Sequence, residues 1–135
     1  MFLQPKKRKY KKSHKGRLKN FNFKSCSVQL GSIALQAVES GYISAKQIES
    51  ARQSINRKIK RKGKIWIKIF PNNPVTKKPT EVRMGKGKGS VSHWSAKVKA
   101  GSVLFEIAGI SLKKAVSALS TGGAKLPLKT KILEF

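Results

Sequence analysis

The chain has 135 residues, of which 39% are hydrophobic, 31 are Lys or Arg and 5 are acidic, so its formal net charge is +26. This length corresponds to a single domain, and no run approaches the ~20 apolar residues that a membrane-spanning helix needs. With so few acids to pair with the cations, a free monomer would repel itself, whereas binding to nucleic acid would neutralise the charge and release counterions.

The first 24 residues predict a basic arm. Ten of the 31 basic residues lie there and apolar residues are sparse, so we expect the arm to be disordered in solution and ordered on RNA. Phe21 and Phe23 are expected to dock on the folded domain, and His14 to serve as a phosphate or base donor. The basic start has no apolar stretch behind it, which argues against a secretory signal. Residues 25–135 are predicted to form one domain.

Two strands are expected within residues 25–38, separated by a bend at Gly31, and a turn over residues 39–42. The lone Cys26 provides neither a disulfide nor metal-ligand spacing, which suits a reducing compartment.

The clearest helix is predicted over residues 44–61. Ser44 followed by Gln47 forms a capping box, and Gly63 is predicted to be the C-cap. Four apolar residues recur at helical spacing and predict the buried stripe: Ile48, Ala51, Ile55 and Ile59. The cations toward the C-terminal end outnumber what the helix dipole explains, and they predict a phosphate-contacting ridge: Arg52, Arg57, Lys58, Lys60, Arg61 and Lys62.

Residues 65–70 alternate as a strand, and Pro71 to Pro74 are expected to stop regular structure. A second strand begins near Val91, and the two are expected to form a central hairpin around a long basic loop. In the loop, Gly85, Gly87 and Gly89 alternate with lysines, which favours close approach to an anionic backbone.

Toward the C-terminus, the pattern predicts a strand over residues 103–108, a helix over 111–121 ended by Gly122 and Gly123, and a final strand over 128–132. The fold class is therefore α+β, with two helices packed on a largely antiparallel sheet, a basic N-terminal arm and a long basic Gly/Lys loop.

No residue constellation predicts catalysis. The RMGKGKGS segment has glycines at the wrong spacing for a P-loop and leads into a strand. His14 and His93 have no metal-ligand companions, so neither a metal nor a cofactor is expected.

Five ordered segments resemble the bacterial and organellar type of the sixteenth large-subunit ribosomal protein family, from Leu3 to about Thr130. They are LQPKKRKYKKSHKGR at 3–17, AKQIESAR at 45–52, GKIWIKIFP at 63–71, PVTKKPTEVRMGKGKG at 74–89 and AKLPLKT at 124–130. Two departures are Ser92 and His93, where many relatives have Glu and Tyr, and Gly122 and Gly123, where relatives continue a helix.

The resemblance implies a structural, non-enzymatic protein of the large ribosomal subunit. It would bind large-subunit rRNA near the aminoacyl-tRNA site and the peptidyl transferase centre, join late in assembly and help to position tRNA. The implied partners are rRNA, tRNA in the aminoacyl site and neighbouring ribosomal proteins, with no membrane and no homo-oligomer. The residues carried over as rRNA- or tRNA-binding are Lys6, Arg8, His14, Lys15, Arg17, Arg52, Arg57, Arg83, Met84, Gly85, Lys86, Gly87 and Lys88.

Composition that suggests an AT-rich genome favours a mitochondrial ribosome over a plastid or bacterial one. Two alternatives stay open: a free RNA chaperone or nucleoid-type nucleic-acid-binding protein, which the charge alone permits, and a phosphate-handling enzyme that uses the glycine loop.

Overall fold

A computed structural model describes residues 3–134, and within them the chain forms seven strands and two helices in two antiparallel sheets. The α+β class is thus confirmed, although the strands divide between two sheets. The elements are β1 Ile33–Ala37, β2 Gly41–Ser44, α1 Ala45–Lys58, β3 Lys64–Ile67, β4 Asn73–Lys77, β5 Ser90–Val98, β6 Val103–Ala108, α2 Leu112–Gly123 and β7 Thr130–Glu134.

The large sheet has the strand order β3-β6-β1-β7, and α2 packs on its strands β1 and β7. Helix α1 packs on α2 and contacts β3 of the large sheet and β2 and β5 of the small sheet. All five residues of β1 are buried, and Phe105 on β6 is fully inaccessible. Leu3 is also buried within the main apolar cluster, so the first described residue of the arm belongs to the core.

The small sheet has the order β2-β5-β4 and two unlike faces. Ile43 lies opposite Ala96, and both are buried toward α1. Tyr42 lies opposite Lys97 on the other face, which is polar. Because side chains alternate along a strand, one face of this sheet joins the core and the other carries polar side chains.

Helix α1 begins as expected. Ser44 Oγ accepts from the backbone N–H of Gln47, and the Gln47 side chain accepts from the Ser44 N–H, completing the capping box. The predicted apolar stripe is buried. The helix ends at Lys58 with Ile59 as its C-cap, four residues before Gly63, so the C-cap prediction was wrong.

The predicted strand before Gly31 is absent, because the backbone there bonds to a side chain. The Glu106 carboxylate accepts hydrogen bonds from the N–H groups of Leu30 at 2.6 Å and Gly31 at 2.9 Å. A turn at residues 24 and 25 is followed by bends and irregular backbone over residues 26–30, and Leu30 is exposed. Gly31 does mark a close approach, since a Cβ there would lie 2.7 Å from the Ile107 carbonyl oxygen.

The expected central hairpin is also wrong. β3 pairs with β6 in the large sheet, whereas β5 pairs with β2 and β4 in the small sheet. The predicted break at residues 71–74 instead starts β4, whose Pro74 lies opposite Trp94. An edge strand tolerates the missing N–H of proline. For this reason the prolines and asparagines at 71–74 predicted an end of regular structure where a strand in fact begins. Similarly, the predicted turn at 39–42 gives way to β2 from Gly41 onward.

Gly122 and Gly123 complete α2 rather than ending it early. A Cβ at Gly122 would lie 2.5 Å from Ile55 Cγ1 on α1, and one at Gly123 would lie 2.6 Å from Thr130 Oγ1 on β7. These glycines permit close packing between α2 and its neighbours.

Replacing Gly122 with Val should lower the free energy of unfolding by ~1–3 kcal/mol, because the new side chain overpacks the α1–α2 contact. Urea unfolding followed by circular dichroism measures the change. Ser117→Val, on the exposed side of α2, introduces the same residue without that contact and should cost under ~0.5 kcal/mol. Equal stabilities for the two variants would show that the close packing is unimportant.

Candidate nucleic-acid interface

Most of the positive charge has no internal partner. Between residues 3 and 134, three ion pairs occur: Arg52–Glu49 at 2.6 Å, Lys68–Glu106 at 3.6 Å and Lys129–Glu39 at 3.3 Å. Of the 31 Lys and Arg residues, the other 28 form no ion pair with this part of the chain. The surface therefore suits a polyanionic partner.

The loop between β4 and β5 presents its tip to solvent. Residues 81–88 are all exposed, and Met84 is 95% exposed. Gly85, Lys86 and Gly87 have φ values of 100°, 51° and 84°, three consecutive residues in the left-handed region. No atom lies within 4 Å of a Cβ built at either glycine, so the conformation rather than crowding requires glycine there. The Lys78 ammonium donates to the Gly85 carbonyl and steadies the tip.

From residue 3 to residue 24 the arm has neither helix nor strand, and it lies against the small sheet. The Arg8 guanidinium sits 5.5 Å from the centre of the Trp94 ring, and Lys15 Nζ sits 5.6 Å from the centre of the Tyr42 ring. The Tyr42 hydroxyl donates to the Lys15 carbonyl at 2.8 Å. Cation–π contacts and this hydrogen bond therefore hold the arm along the sheet.

The arm contacts the C-terminal end of the loop. Lys12 Nζ donates to the Lys88 carbonyl at 2.6 Å, and Lys88 Nζ donates to the Ser13 carbonyl. A groove of about 590 Å³ lies beneath this junction, lined by Ser13, Lys15 and Lys88 and by His93 and Tyr42 of the polar sheet face. We call the cationic region formed by arm residues 6–17 and loop residues 83–88 the arm–loop surface.

The predicted site residues thus fall into two groups. Lys15 and Lys88 line one groove, and Arg8 lies over Trp94 of the same sheet. The other predicted residues of arm and loop are exposed on the same two segments: Lys6, His14, Arg17, Arg83, Met84, Gly85, Lys86 and Gly87. Arg52 and Arg57 lie on α1, outside the arm–loop surface. Sequence reasoning missed Lys12, whose role depends on a partner 76 residues away.

The two helical arginines differ in their surroundings. Arg52 donates to both carboxylate oxygens of Glu49, at 3.0 and 2.6 Å, and this hydrogen bonding lowers the pKa of Glu49. Arg57 is exposed and lines a separate groove between α1 and α2. Arg52 is therefore already held within the protein, whereas Arg57 has a free guanidinium among the described residues.

The two docking predictions for the aromatic residues had different outcomes. Phe21 packs its ring over Gly101, where a Cβ would lie 2.2 Å from Phe21 Cζ. Phe23 stays 79% exposed, so its predicted docking was wrong; it contacts the Phe21 ring at a centroid distance of 5.0 Å.

Among residues 3–134, no cluster of three or more His, Cys, Asp or Glu side chains could hold a metal ion. No helix in the same range is long and apolar enough to cross a membrane.

Comparison with known proteins identifies a family that matches almost the whole chain. The model of the family described as "Ribosomal protein L16p/L10e" matches residues 5–133. A protein of Maricaulis maris is 51% identical over 131 residues, covering 97% of this chain and 96% of that protein. One from Psychrobacter cryohalolentis is 50% identical over 132 residues, with coverage of 98% and 96%. One from Christiangramia forsetii is 47% identical over 131 residues, with coverage of 97% and 94%.

All three relatives bear the name "Large ribosomal subunit protein uL16". Their source organisms are bacteria, so these matches give no support to the mitochondrial expectation.

Proposed function

The chain belongs to the ribosomal protein L16p/L10e family and is a structural constituent of the large ribosomal subunit, not an enzyme; from this premise we propose that its arm–loop surface binds large-subunit rRNA beside the aminoacyl-tRNA site. There it supports late assembly and helps to position tRNA near the peptidyl transferase centre. The observation that carries the proposal is the meeting of the arm with the loop at Lys12, Ser13 and Lys88.

Electrostatics supports rRNA as the main partner. The arm–loop surface contains no acidic residue, and its lysines and arginines can replace the counterions of a phosphate backbone. The left-handed tip over residues 85–87 lets the main chain approach a phosphate closely, and successive N–H groups in such turns make concave anion sites. Binding of this kind reads the position and shape of RNA more than its sequence.

A protein on the subunit should also meet neighbouring ribosomal proteins, and the resemblance points to tRNA on the exposed side of the loop. The free-chaperone alternative predicts instead that the protein stays off the large subunit. Sucrose-gradient sedimentation of cell lysate separates the two, because a structural constituent must travel with the large subunit at stoichiometric amounts. Recovery of most of the protein at the top of the gradient would contradict the proposal.

The double substitution Arg83→Ala and Lys86→Ala should weaken binding to large-subunit rRNA by ~10- to 100-fold, because two charge-assisted contacts are lost. Incorporation into large subunits should fall with it. The far-UV circular dichroism spectrum should stay unchanged, since both side chains are exposed. Filter binding and gradient sedimentation measure the two effects.

The matched control is Lys113→Ala with Lys114→Ala, which removes the same charge from the exposed start of α2. If this control weakened binding as much as the loop variant, total charge rather than the arm–loop surface would determine affinity. If the loop variant lost its folded spectrum, the loop would have a structural role that contradicts the proposal.

A further inference from the structure

A histidine lies in the groove beneath the arm–loop junction, between segments that carry fixed positive charge. His93 is on β5, opposite Val75 of β4, and its side chain is exposed on the polar face of the small sheet. The same groove is lined by two cations, Lys15 from the arm and Lys88 from the loop. The imidazole therefore shares one solvent-accessible space with ammonium groups from two different segments.

Both lysines of this groove are held in place by protein groups. Lys15 Nζ lies 5.6 Å from the centre of the Tyr42 ring, and Lys88 Nζ donates to the Ser13 carbonyl. Lysine ammonium groups keep their charge across the neutral range, so the groove is cationic whatever the state of the histidine. An anion that enters the groove meets His93 on the sheet between these two charges.

The surroundings of His93 contain nothing that would neutralise a charged imidazole. A second groove, of about 980 Å³, is lined by His93 together with Gln4 and Lys46 of the arm and of α1. Among residues 3–134, no Asp or Glu lines either groove. The titratable or charged side chains that line the grooves or share this face of the sheet are cationic or phenolic: Lys15, Tyr42, Lys46, Lys88 and Lys97. A positive imidazole here can be paired only with an anion from outside the described chain.

The ring of His93 is also available to such an anion. Its Nδ1 lies 3.5 Å from Ser92 Oγ, and within residues 3–134 its Nε2 has no hydrogen-bond partner. A neutral imidazole has one N–H donor, whereas the protonated ring has two and carries a positive charge. Imidazole changes its charge between about pH 5 and pH 8, a range over which a phosphodiester stays negative.

Protonation of His93 and binding of an anion in the groove are therefore coupled. The anion favours the charged ring, and the charged ring favours the anion, because coupling between two binding equilibria is reciprocal. The sign follows directly: a lower pH supplies the proton and strengthens binding of the anion.

We propose that His93 is a pH-sensitive element of the RNA-binding surface, whose protonated ring becomes the third cation of the groove and strengthens binding of backbone phosphates as the pH falls. The inference rests on the proposed function, because the anion is a phosphate of the rRNA bound at the arm–loop surface. Lys15 and Lys88 provide the constant part of the attraction, and His93 provides the part that varies with pH.

Filter binding of the full chain to large-subunit rRNA at pH 5.5, 6.5 and 7.5, at constant ionic strength, tests the proposal. The wild-type protein should bind about three- to tenfold more tightly at the lowest pH than at the highest. His93→Gln, which keeps a hydrogen-bonding side chain but cannot become charged, should lose most of this difference. His93→Lys, which is charged throughout, should also lose it, and should bind at pH 7.5 at least as tightly as the wild type.

The salt dependence provides a readout that a purely structural role would not move. The slope of log affinity against log salt should be steeper by ~1 at pH 5.5 than at pH 7.5 in the wild type, because one more cation contacts a phosphate. In His93→Gln the two slopes should be equal. Thermal unfolding midpoints of wild type and variants should agree, since the side chain is exposed.

His14→Gln is the matched comparison, because His14 is exposed on the arm and lies in neither groove. Whatever its affinity at a single pH, this variant should keep the ratio between pH 5.5 and pH 7.5. The inference is overturned if His93→Gln or His93→Lys keeps the wild-type ratio, or if the ratio disappears in His14→Gln instead. Equal wild-type affinity at both pH values refutes only the role of His93, whereas absence of rRNA binding at every pH refutes the proposed function.

Discussion

Replacing Glu106 with Ala should lower the free energy of unfolding by about 3 kcal/mol and the melting temperature by on the order of 10 °C. Glu106 is completely buried in β6, and one of its oxygens accepts from the N–H groups of Leu30 and Gly31. Its other oxygen lies 3.6 Å from Lys68 Nζ. Removing the carboxylate leaves these backbone donors without their partner and Lys68 without its counter-charge, and the start of β1 loses its anchor.

The pH dependence of the free energy of unfolding tests whether the ionised carboxylate of Glu106 provides this stabilisation. Burial alone raises the pKa of Glu106, but the hydrogen bonds from Leu30 and Gly31 and the charge of Lys68 outweigh it, so the pKa in the folded state is lowered from 4.5. Because the folded pKa lies below the unfolded one, the carboxylate stabilises the fold above pH ~4.5, and this stabilisation is lost as the pH falls through the folded pKa.

Glu106→Gln supplies the matched control, since the amide keeps an acceptor for the backbone donors but cannot ionise. It should cost ~1–2 kcal/mol at pH 7, less than the Ala variant. The stability difference between wild type and Gln variant should shrink below pH 4.5, as measured by urea unfolding across a pH series. A difference that stayed constant to pH 3 would show that the charge of Glu106 contributes nothing.

The affinity of the chain for large-subunit rRNA should fall by ~10³- to 10⁵-fold between 50 and 200 mM salt, if six to ten phosphates are contacted. The cations of the arm–loop surface are numerous enough to supply contacts in this range: Lys6, Lys7, Arg8, Lys9, Lys11, Lys12, Lys15, Arg17, Arg83, Lys86 and Lys88. Each contact releases bound counterions, so a plot of log affinity against log salt should be linear with a steep negative slope.

Neutralising three cations of the arm, through Arg8→Gln, Lys15→Gln and Arg17→Gln, should make that slope shallower by ~2–3. Substitution is preferable to deletion of the arm, because Leu3 is part of the core. The control neutralises Lys113, Lys114 and Lys131, which are exposed outside the arm–loop surface, and should leave the slope nearly unchanged. Identical slopes for both triple variants would exclude the arm as a specific phosphate-binding segment.

The parts of the fold that the sequence predicted well depend on neighbouring residues. Ser44 and Gln47 cap a helix three residues apart, and the stripe from Ile48 to Ile59 recurs at helical spacing, so α1 could be placed within a few residues. β6 could be placed for the same reason, because its alternation lies within six residues. The excess of unpaired cations could be predicted from the residue counts alone, because five acids cannot pair with 31 cations in any fold.

The sequence predicted which segments form the candidate site but not how these segments contact one another. The arm and the glycine loop are visible in the sequence, but their meeting at Lys12 and Lys88 depends on how β4 and β5 place the loop beside the arm. The pairing of Arg8 with Trp94 spans a similar distance along the chain and gives no local signal.

The sequence by itself determined that the chain is a basic α+β protein with a capped helix and a glycine-rich cationic loop. Only the tertiary structure decided that β3 joins β6 while β5 joins β2 and β4, and that Glu106 replaces a strand partner for residues 30 and 31. The physical reason is that helices and caps form from groups three or four residues apart. Strand pairing and buried hydrogen bonds join groups that are tens of residues apart, and they are selected by the packing of the whole core.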